Sequence, residues 1–351
     1  MNYQLSANKL RLDRDAIVNE MAEKQYTNGG AKKDARTRPS FIDDTRYHLN
    51  ILAESLEVES KELFLNHVDW AKSMLESRNV TSDMLKNNLE QLGDVISMRY
   101  RDEIVKPVLE YTGSALNHLS QFNHPTKSFI DRENPLYEQA SQYLNHLLNA
   151  RRKEAVDIID NLIQNDVHVR DIYEYIFQTS QYEVGRLWQL NKITVAHEHY
   201  CTAATQTIMS GLYSHIFSMD RTGKVMVSCS VSNELHEIGI RMVSDYFEME
   251  GWDTYYMGAN TPADDIIAAI KENRADLLSI SVTIPAFLDQ ARKLISKIRQ
   301  HPDFKKTIIL AGGYPFIVAP DLYKKIGADG TAKSAKESVE IARKLLDQKQ
   351  S

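Results

Sequence analysis

The chain has 351 residues, 42% of them hydrophobic and 26% charged, with a formal net charge of −6. That is the composition of a globular protein of two or three domains, and its acidic balance excludes the basic face that broad nucleic-acid binding needs. Two cysteines, Cys201 and Cys229, exclude a disulfide scaffold; with no apolar run of membrane length and no signal-peptide pattern, the expected location is the cytoplasm.

Residues 1–40 are polar, with Gly29-Gly30 and a mixed Lys/Asp/Arg stretch ending at Pro39, and read as a mobile segment with one short helix near Asp13 to Lys24. Residues 41–123 have helical spacing at Tyr47 to Leu56, Lys61 to Ser77 and a long run from Ser82. Thr81 or Ser82 caps that run and Pro107 kinks it. This region reads as a helical sensor or interaction domain. Residues 124–135 (HPTKSFIDRENP) read as a linker, and residues 136–220 as a four-helix bundle. Its last two helices, Val169 to Leu190 and Val195 to Phe217, are joined by a short turn with Thr194 as N-cap.

Residues 221–351 change rhythm. Lys224 to Cys229, Thr254 to Met257, Leu277 to Val282 and Thr307 to Ala311 are short apolar, β-branched-rich runs. Segments of helical period lie between and after them: Ile238 to Glu250, Ala263 to Asn273, Ala286 to Arg299 and Asp321 to Lys325. Such alternation predicts a parallel sheet with helices on both faces, in which ligands bind beyond the carboxyl ends of the strands. The expected architecture is therefore α plus α/β: an N-terminal helical domain, a four-helix cap, and a flavodoxin- or Rossmann-like domain with a five-stranded parallel sheet.

Three short signals sit at those carboxyl ends. Glu234-Leu-His236-Glu-Ile-Gly239 follows the first strand, Ser281-Val282-Thr283 ends the third, and Gly312-Gly313 follow the fourth. Between Gly239 and Ser281 lie 41 residues, and between Thr283 and Gly312 lie 28. A neutral imidazole is a good axial ligand for a transition metal, and its second nitrogen is normally oriented by a carboxylate. Glu234 stands two residues before His236. Gly239, Gly312 and Gly313 permit close backbone approach, and the hydroxyls of Ser281 and Thr283 share one side of their strand.

The segment from about Gly223 to Leu346 resembles the cobalamin-binding domain of methionine synthase, methylmalonyl-CoA mutase and corrinoid carriers. The resemblance implies that His236 is the lower cobalt ligand and that the displaced nucleotide tail threads between sheet and helices. The family pattern usually has Asp at the place of Glu234 and Leu at the place of Thr283. Upstream, Trp188 is followed after nine residues by Glu198-His199, which resembles the cap of CarH/LitR-type adenosylcobalamin photoreceptors. That resemblance implies Trp188 and Glu198 against an adenosyl group and His199 as a possible upper cobalt ligand. Their DNA-binding domain has no counterpart in the first 120 residues. His197 has no assigned role.

The resulting expectation is a cobalamin-binding sensory protein: light cleaves adenosylcobalamin, the cap shifts, and an unknown signalling protein reads the change. A homo-oligomer is expected, with neither nucleic acid nor membrane as a partner. The alternative is a corrinoid methyl carrier for a methyltransferase, with methylcobalamin as a possible form of the cofactor. A variant of the sensor adds biliverdin as a second, noncovalent chromophore. Discarding the cofactor leaves a flavodoxin-like receiver, which would need an acceptor carboxylate where Ser281-Val282-Thr283 stand. No zincin helix and no serine nucleophile elbow is present, so turnover by the chain alone is not expected.

Overall fold

A computed structural model of the chain describes residues 1–27, 38–121, 127–217 and 220–350. Gly29-Gly30 and the first residues of the expected linker lie outside them. The chain divides into two compact units. The first combines Met1–Asn123 with Thr283–Lys293 and Tyr314–Gly327; the second combines His124–Val282, Leu294–Gly313 and Ala328–Ser351.

Six helices build most of the first unit: α1 (Tyr3–Leu12), α2 (Arg14–Thr27), α3 (Arg38–Glu57), α4 (Lys61–Ser77), α5 (Asp83–Arg99) and α6 (Asp102–Gln121). The first 27 residues are not a mobile tail. Ala7, Leu10, Ile17, Val18 and Met21 recur at helical spacing, and all are completely buried against Leu49, Leu52 and Leu56 of α3. The polar residues that dominate the composition there are simply the outward faces of two amphipathic helices. The long run from Ser82 is two helices, broken at Tyr100-Arg101, and Pro107 sits inside α6 without ending it. Ser82 makes no side-chain capping bond.

The second unit opens with the cap: α7 (Tyr137–Leu148), α8 (Arg152–Gln164), α9 (Val169–Ile172), α10 (Thr179–Gln189), α11 (Val195–Gly211) and a short α12 (Tyr213–Ile216). A π-helical turn, Tyr173–Gln178, fuses α9 and α10 into one rod. Tyr143, Tyr173, Phe177 and Ile159 fill the bundle, and the Tyr143 hydroxyl is 2.9 Å from Thr205 Oγ1. Thr194 caps α11 as expected, and His197 answers it: its Nδ1 accepts from the Thr194 backbone N–H at 3.3 Å, closing a capping box.

The remainder alternates as the sequence predicts: β1 (Val225–Ser230), α13 (Ile238–Glu248), β2 (Asp253–Tyr256), α14 (Ala263–Asn273), β3 (Leu277–Ser281), α15 (Leu288–Gln300), β4 (Ile308–Gly312), α16 (Tyr314–Val318), α17 (Leu322–Ile326) and α18 (Ala335–Gln350). The strands are parallel in the order β2-β1-β3-β4. The sheet thus has four strands, not five. Where a fifth would lie, Ala328-Asp-Gly-Thr-Ala offers no β-branched run, and only a single bridge, Leu310 to Gly330, forms. Strand order reverses direction beside β1, which puts the ligand crevice at the carboxyl ends of β1 and β3.

One hydrophobic cluster runs from the cap into the sheet. It joins Tyr173 and Ile216 with Met226, Leu277 and Ile308 of the strands and Phe247, Val339 and Ala342 of α13 and α18. Within it the Tyr173 hydroxyl donates to the buried Asp245 carboxylate at 2.8 Å.

Two predictions follow from this packing. Gly313 has φ +111°, and a Cβ there would stand 2.0 Å from the Val282 carbonyl oxygen. Gly313→Ala should cost about 3 kcal/mol or more in a denaturant titration, because backbone rather than a flexible side chain must yield. Burial pushes the Asp245 carboxyl up from 3.8 to about 6. The folded state therefore holds a proton that the unfolded chain has released, so stability falls as pH rises from about 4 to about 6. Asp245→Asn keeps an acceptor for Tyr173 and should remove that slope, worth about 3 kcal/mol.

Candidate corrinoid site

Beyond β1 the chain makes a short loop, residues 231–237, that its own backbone holds in place. Ser230 Oγ donates to the His236 carbonyl at 2.8 Å, Asn260 N donates to the Glu234 carbonyl at 2.9 Å, and Asn233, at φ +68°, takes the side-chain oxygen of Asn260 on its N–H at 2.7 Å. The loop buries Glu234 completely while leaving the His236 side chain 57% exposed. One Glu234 oxygen accepts from both the His236 backbone N–H, at 3.0 Å, and the ring Nδ1, at 2.6 Å. A carboxylate at Nδ1 assigns the proton to that nitrogen and leaves the Nε2 lone pair facing outward. The Glu234 hydrogen bond, opposed by burial and assisted by the charges of Glu234 and Glu198, holds the His236 pKa above its ordinary value. Among the described residues no group of three or more His, Cys, Asp and Glu side chains gathers as a metal cage.

The neighbouring strands carry a polar surface that sequence reading recognised only at its end. Ser228 and Ser230 of β1 pair in register with Ser279 and Ser281 of β3, and Ser281 pairs with Gly312 of β4. Residues two apart on a strand share a face, so the four serines lie together. That face is the one through which Met226, Leu277 and Leu310 meet α13 and α18. Parallel strands covered on both sides are normally continuously apolar. All four serines are buried, and the Ser228 hydroxyl has no hydrogen-bond partner among the described residues, nor has Thr331 Oγ1 beside β4. A buried hydroxyl left without a partner costs about 1–3 kcal/mol, which a polar ligand entering between sheet and helices would recover. The i, i+2 serines of VSCS and LSIS were the readable signal.

The glycines divide by role. Gly313 is required by the fold itself. An added Cβ would meet nothing within 4 Å at Gly239, on the exposed first turn of α13, and only the Ala332 carbonyl at 3.9 Å at Gly312. No protein group needs those two positions bare, which fits a flat ligand lying over His236. Val282 is fully buried, with its N–H on the Gly312 carbonyl at 2.9 Å. Thr283 opens the segment that groups with the first unit.

Of the cap residues, Glu198 comes near enough for its charge to act on His236. It sits on α11, where Thr202 donates to it at 3.1 Å. His199 is 75% exposed, with Nε2 3.4 Å from the Glu198 carboxylate. Trp188 is half-buried near the end of α10. Three residues unforeseen in the sequence join cap and sheet: Gln206 Nε2 donates to Glu237 at 2.6 Å, and Arg241 donates to the Gln206 carbonyl at 3.2 Å and to Ser210 Oγ at 2.8 Å.

Comparison with known proteins meets this geometry. Residues 224–340 match the family model described as B12 binding domain, and residues 139–213 match a second model of the same description. Dimethylamine corrinoid protein 3 of Methanosarcina acetivorans is 25% identical over 217 residues, covering 62% of this chain and 99% of that protein. The dimethylamine corrinoid protein of Methanosarcina barkeri is 24% identical over 212 residues, covering 60% and 98%. Among solved structures, the Methanosarcina barkeri monomethylamine corrinoid protein superposes with a TM-score of 0.53 at 17% identity, over 61% of this chain and 99% of that one, and so shows the shared fold.

These relatives overturn the light-sensor expectation: the proteins matched are dimethylamine corrinoid proteins, not photoreceptors. Trp188 and Glu198-His199 lie at the two ends of one interhelical turn. A helical hairpin fixes such a spacing without photochemistry, and the exposed His199 pairs with its own neighbour. Nothing in the comparisons supports a signalling partner. Residues 139–213 and 224–340 of this chain belong to the cobalamin-binding domain family.

Proposed function

We propose that the protein is a corrinoid methyl carrier, loaded and unloaded by a partner methyltransferase rather than turning over substrate alone. The observation that carries this reading is the near-complete coverage of dimethylamine corrinoid proteins, 99% and 98% of their length, by about three fifths of this chain. A corrinoid dedicated to an N-methyl compound handles a methyl group, so methylated amines are the donor class it points to. When bound, the corrinoid supplies a cobalt centre that takes up and gives back that group.

The chain's own residues hold and shield it. In this reading His236 Nε2 would hold cobalt, with Glu234 fixing the tautomer and angle of the ring. Gly239 and Gly312 let the ring system lie close to backbone. Ser228, Ser230, Ser279 and Ser281, with Val282, Thr283 and Gly313 at their ends, receive the displaced nucleotide tail. Glu198, Trp188 and His199 belong to the lid above. The methyl form of the cofactor replaces the adenosyl form in this reading, and a methyltransferase replaces the signalling protein. Biliverdin plays no part in it, and a covalent link would find no thiolate: Cys201 and Cys229 are buried, and burial pushes their thiols up to about 11 and about 12.

The test begins with protein loaded with hydroxocobalamin, then reduced and treated with labelled methyl iodide. Label should stay with the protein through gel filtration, and His236→Ala should lose corrinoid and label together. Label that washes off the wild type would sink the carrier reading. Glu234→Gln, which keeps an acceptor but not the charge, should weaken corrinoid affinity by about 10–100-fold, measured by absorbance titration.

Gly239→Ala separates ligand from fold. Without corrinoid it should stabilise α13 by up to about 1 kcal/mol, because alanine is the better helix former and meets open space. Its corrinoid affinity should nevertheless fall. Unchanged affinity would place the ring system elsewhere.

A further inference from the structure

We infer that Glu237 and Arg241 are positioning residues that lock the cap helix over the His236 imidazole through a shared grip on Gln206. The inference rests on the corrinoid reading of His236 and adds a device that sets where the lid stands.

Two polar stripes meet where apolar packing would be ordinary. On α11, Glu198, Thr202, Gln206 and Ser210 recur at i, i+4 spacing and so form one line. On α13, Glu237, Arg241 and Asp245 do the same from its N-cap onward. Glu237 follows His236 directly, and its carboxylate collects donors from three elements. Oε1 accepts from Gln206 Nε2 at 2.6 Å; Oε2 accepts from the Tyr256 hydroxyl of β2 at 2.9 Å and from Ala259 N at 3.0 Å. One turn on, Arg241 is buried. It donates to the Gln206 carbonyl at 3.2 Å, to Ser210 Oγ at 2.8 Å and to Tyr213 Oη at 3.2 Å, with its guanidinium over the Tyr213 ring.

Gln206 is therefore held twice, its side-chain amide by an anion and its backbone carbonyl by a cation. Charge-assisted bonds of this kind are the stronger ones and are directional. The same helix carries Glu198, two turns earlier, whose charge reaches His236. Holding Gln206 fixes the position of the helix that carries Glu198 relative to the loop that carries His236. Because Glu237 is bonded to His236 through the backbone, any displacement of α11 pulls on the loop that presents the ring.

The experiment uses the full chain and three variants: Gln206→Ala, Arg241→Met and Glu237→Gln. Without corrinoid, amide hydrogen exchange across residues 195–211 should quicken by about tenfold in each variant, while α7 and α8 keep wild-type protection. With hydroxocobalamin bound, its dissociation should quicken by a similar factor, about tenfold, while the absorbance that reports imidazole ligation is retained. Gln206→Ala combined with Glu237→Gln should exchange no faster than either alone, since both remove one interaction. Additive effects, wild-type exchange in α11, or equal loosening of α7 and α8 would each overturn the lock. Failure of the wild type to bind hydroxocobalamin would instead reject the corrinoid reading, and the exchange comparison would still decide the lock.

Discussion

A buried carboxylate under an exposed imidazole is the arrangement on which the site depends. Glu234 has no exposure at all, and a charge removed from water in that way is tolerable only with strong donors on it. The His236 N–H and ring Nδ1 are two of them, both on one oxygen. This pairing turns a loop residue into a rigidly held imidazole: it selects the tautomer, restrains the ring and aims Nε2 at open space. It also raises the basicity of the ring. A more basic imidazole is a stronger donor to a metal, but a proton competes for the same nitrogen. Placement on a loop pinned by Ser230, Asn233 and Asn260 makes the geometry a property of the sheet rather than of the ligand.

The serine face complements that ligand on the other side of the crevice. A fold of this class gains stability by lining strands with branched apolar side chains, as Val227, Ile280 and Ile309 do on the opposite face. Four hydroxyls on the covered face, one of them unpartnered, are a local sacrifice of stability. Departures of this kind gather where function requires them. Ser228 lies deeper along β1 than Ser230, so the polar surface runs inward from His236 rather than around it. That is the direction a tail leaving the ring plane would take.

Much of this was legible in the sequence, because periodicity and spacing are local properties. The strand-helix rhythm, the Glu234-to-His236 pairing and the Thr194 cap follow from residues a few positions apart. What stayed hidden depends on register or on distant partners. Ser279 reads as an interruption in LLSISV until β1 and β3 are aligned beside each other. Glu237 reads as a solvated charge until Gln206, Tyr256 and Ala259 arrive from three other elements. The first 27 residues were misread for a different reason: composition was given more weight than the spacing of Leu10, Ile17 and Met21. The fifth strand was expected from the fold class rather than from any apolar run, and none exists at Ala328-Asp-Gly. Trp188 and Glu198-His199 misled because a hairpin reproduces such spacing without the chemistry.

The cap is fastened differently at its two ends, and the difference bears on how it would move. Toward the amino ends of the strands, Tyr173, Ile216, Met226 and Phe247 share one continuous apolar cluster, reinforced by the Tyr173–Asp245 bond. Toward the carboxyl ends, where His236 stands, the contacts are hydrogen bonds of Gln206, Glu237 and Arg241. Apolar packing is non-directional and resists separation through the area it buries, whereas hydrogen bonds can be exchanged for water at a small net cost. Opening at the polar end while the apolar end stays closed is the motion of lowest cost for this architecture. It would uncover the imidazole crevice without breaking the core. In the proposed carrier, α11 would supply that asymmetry along a single helix.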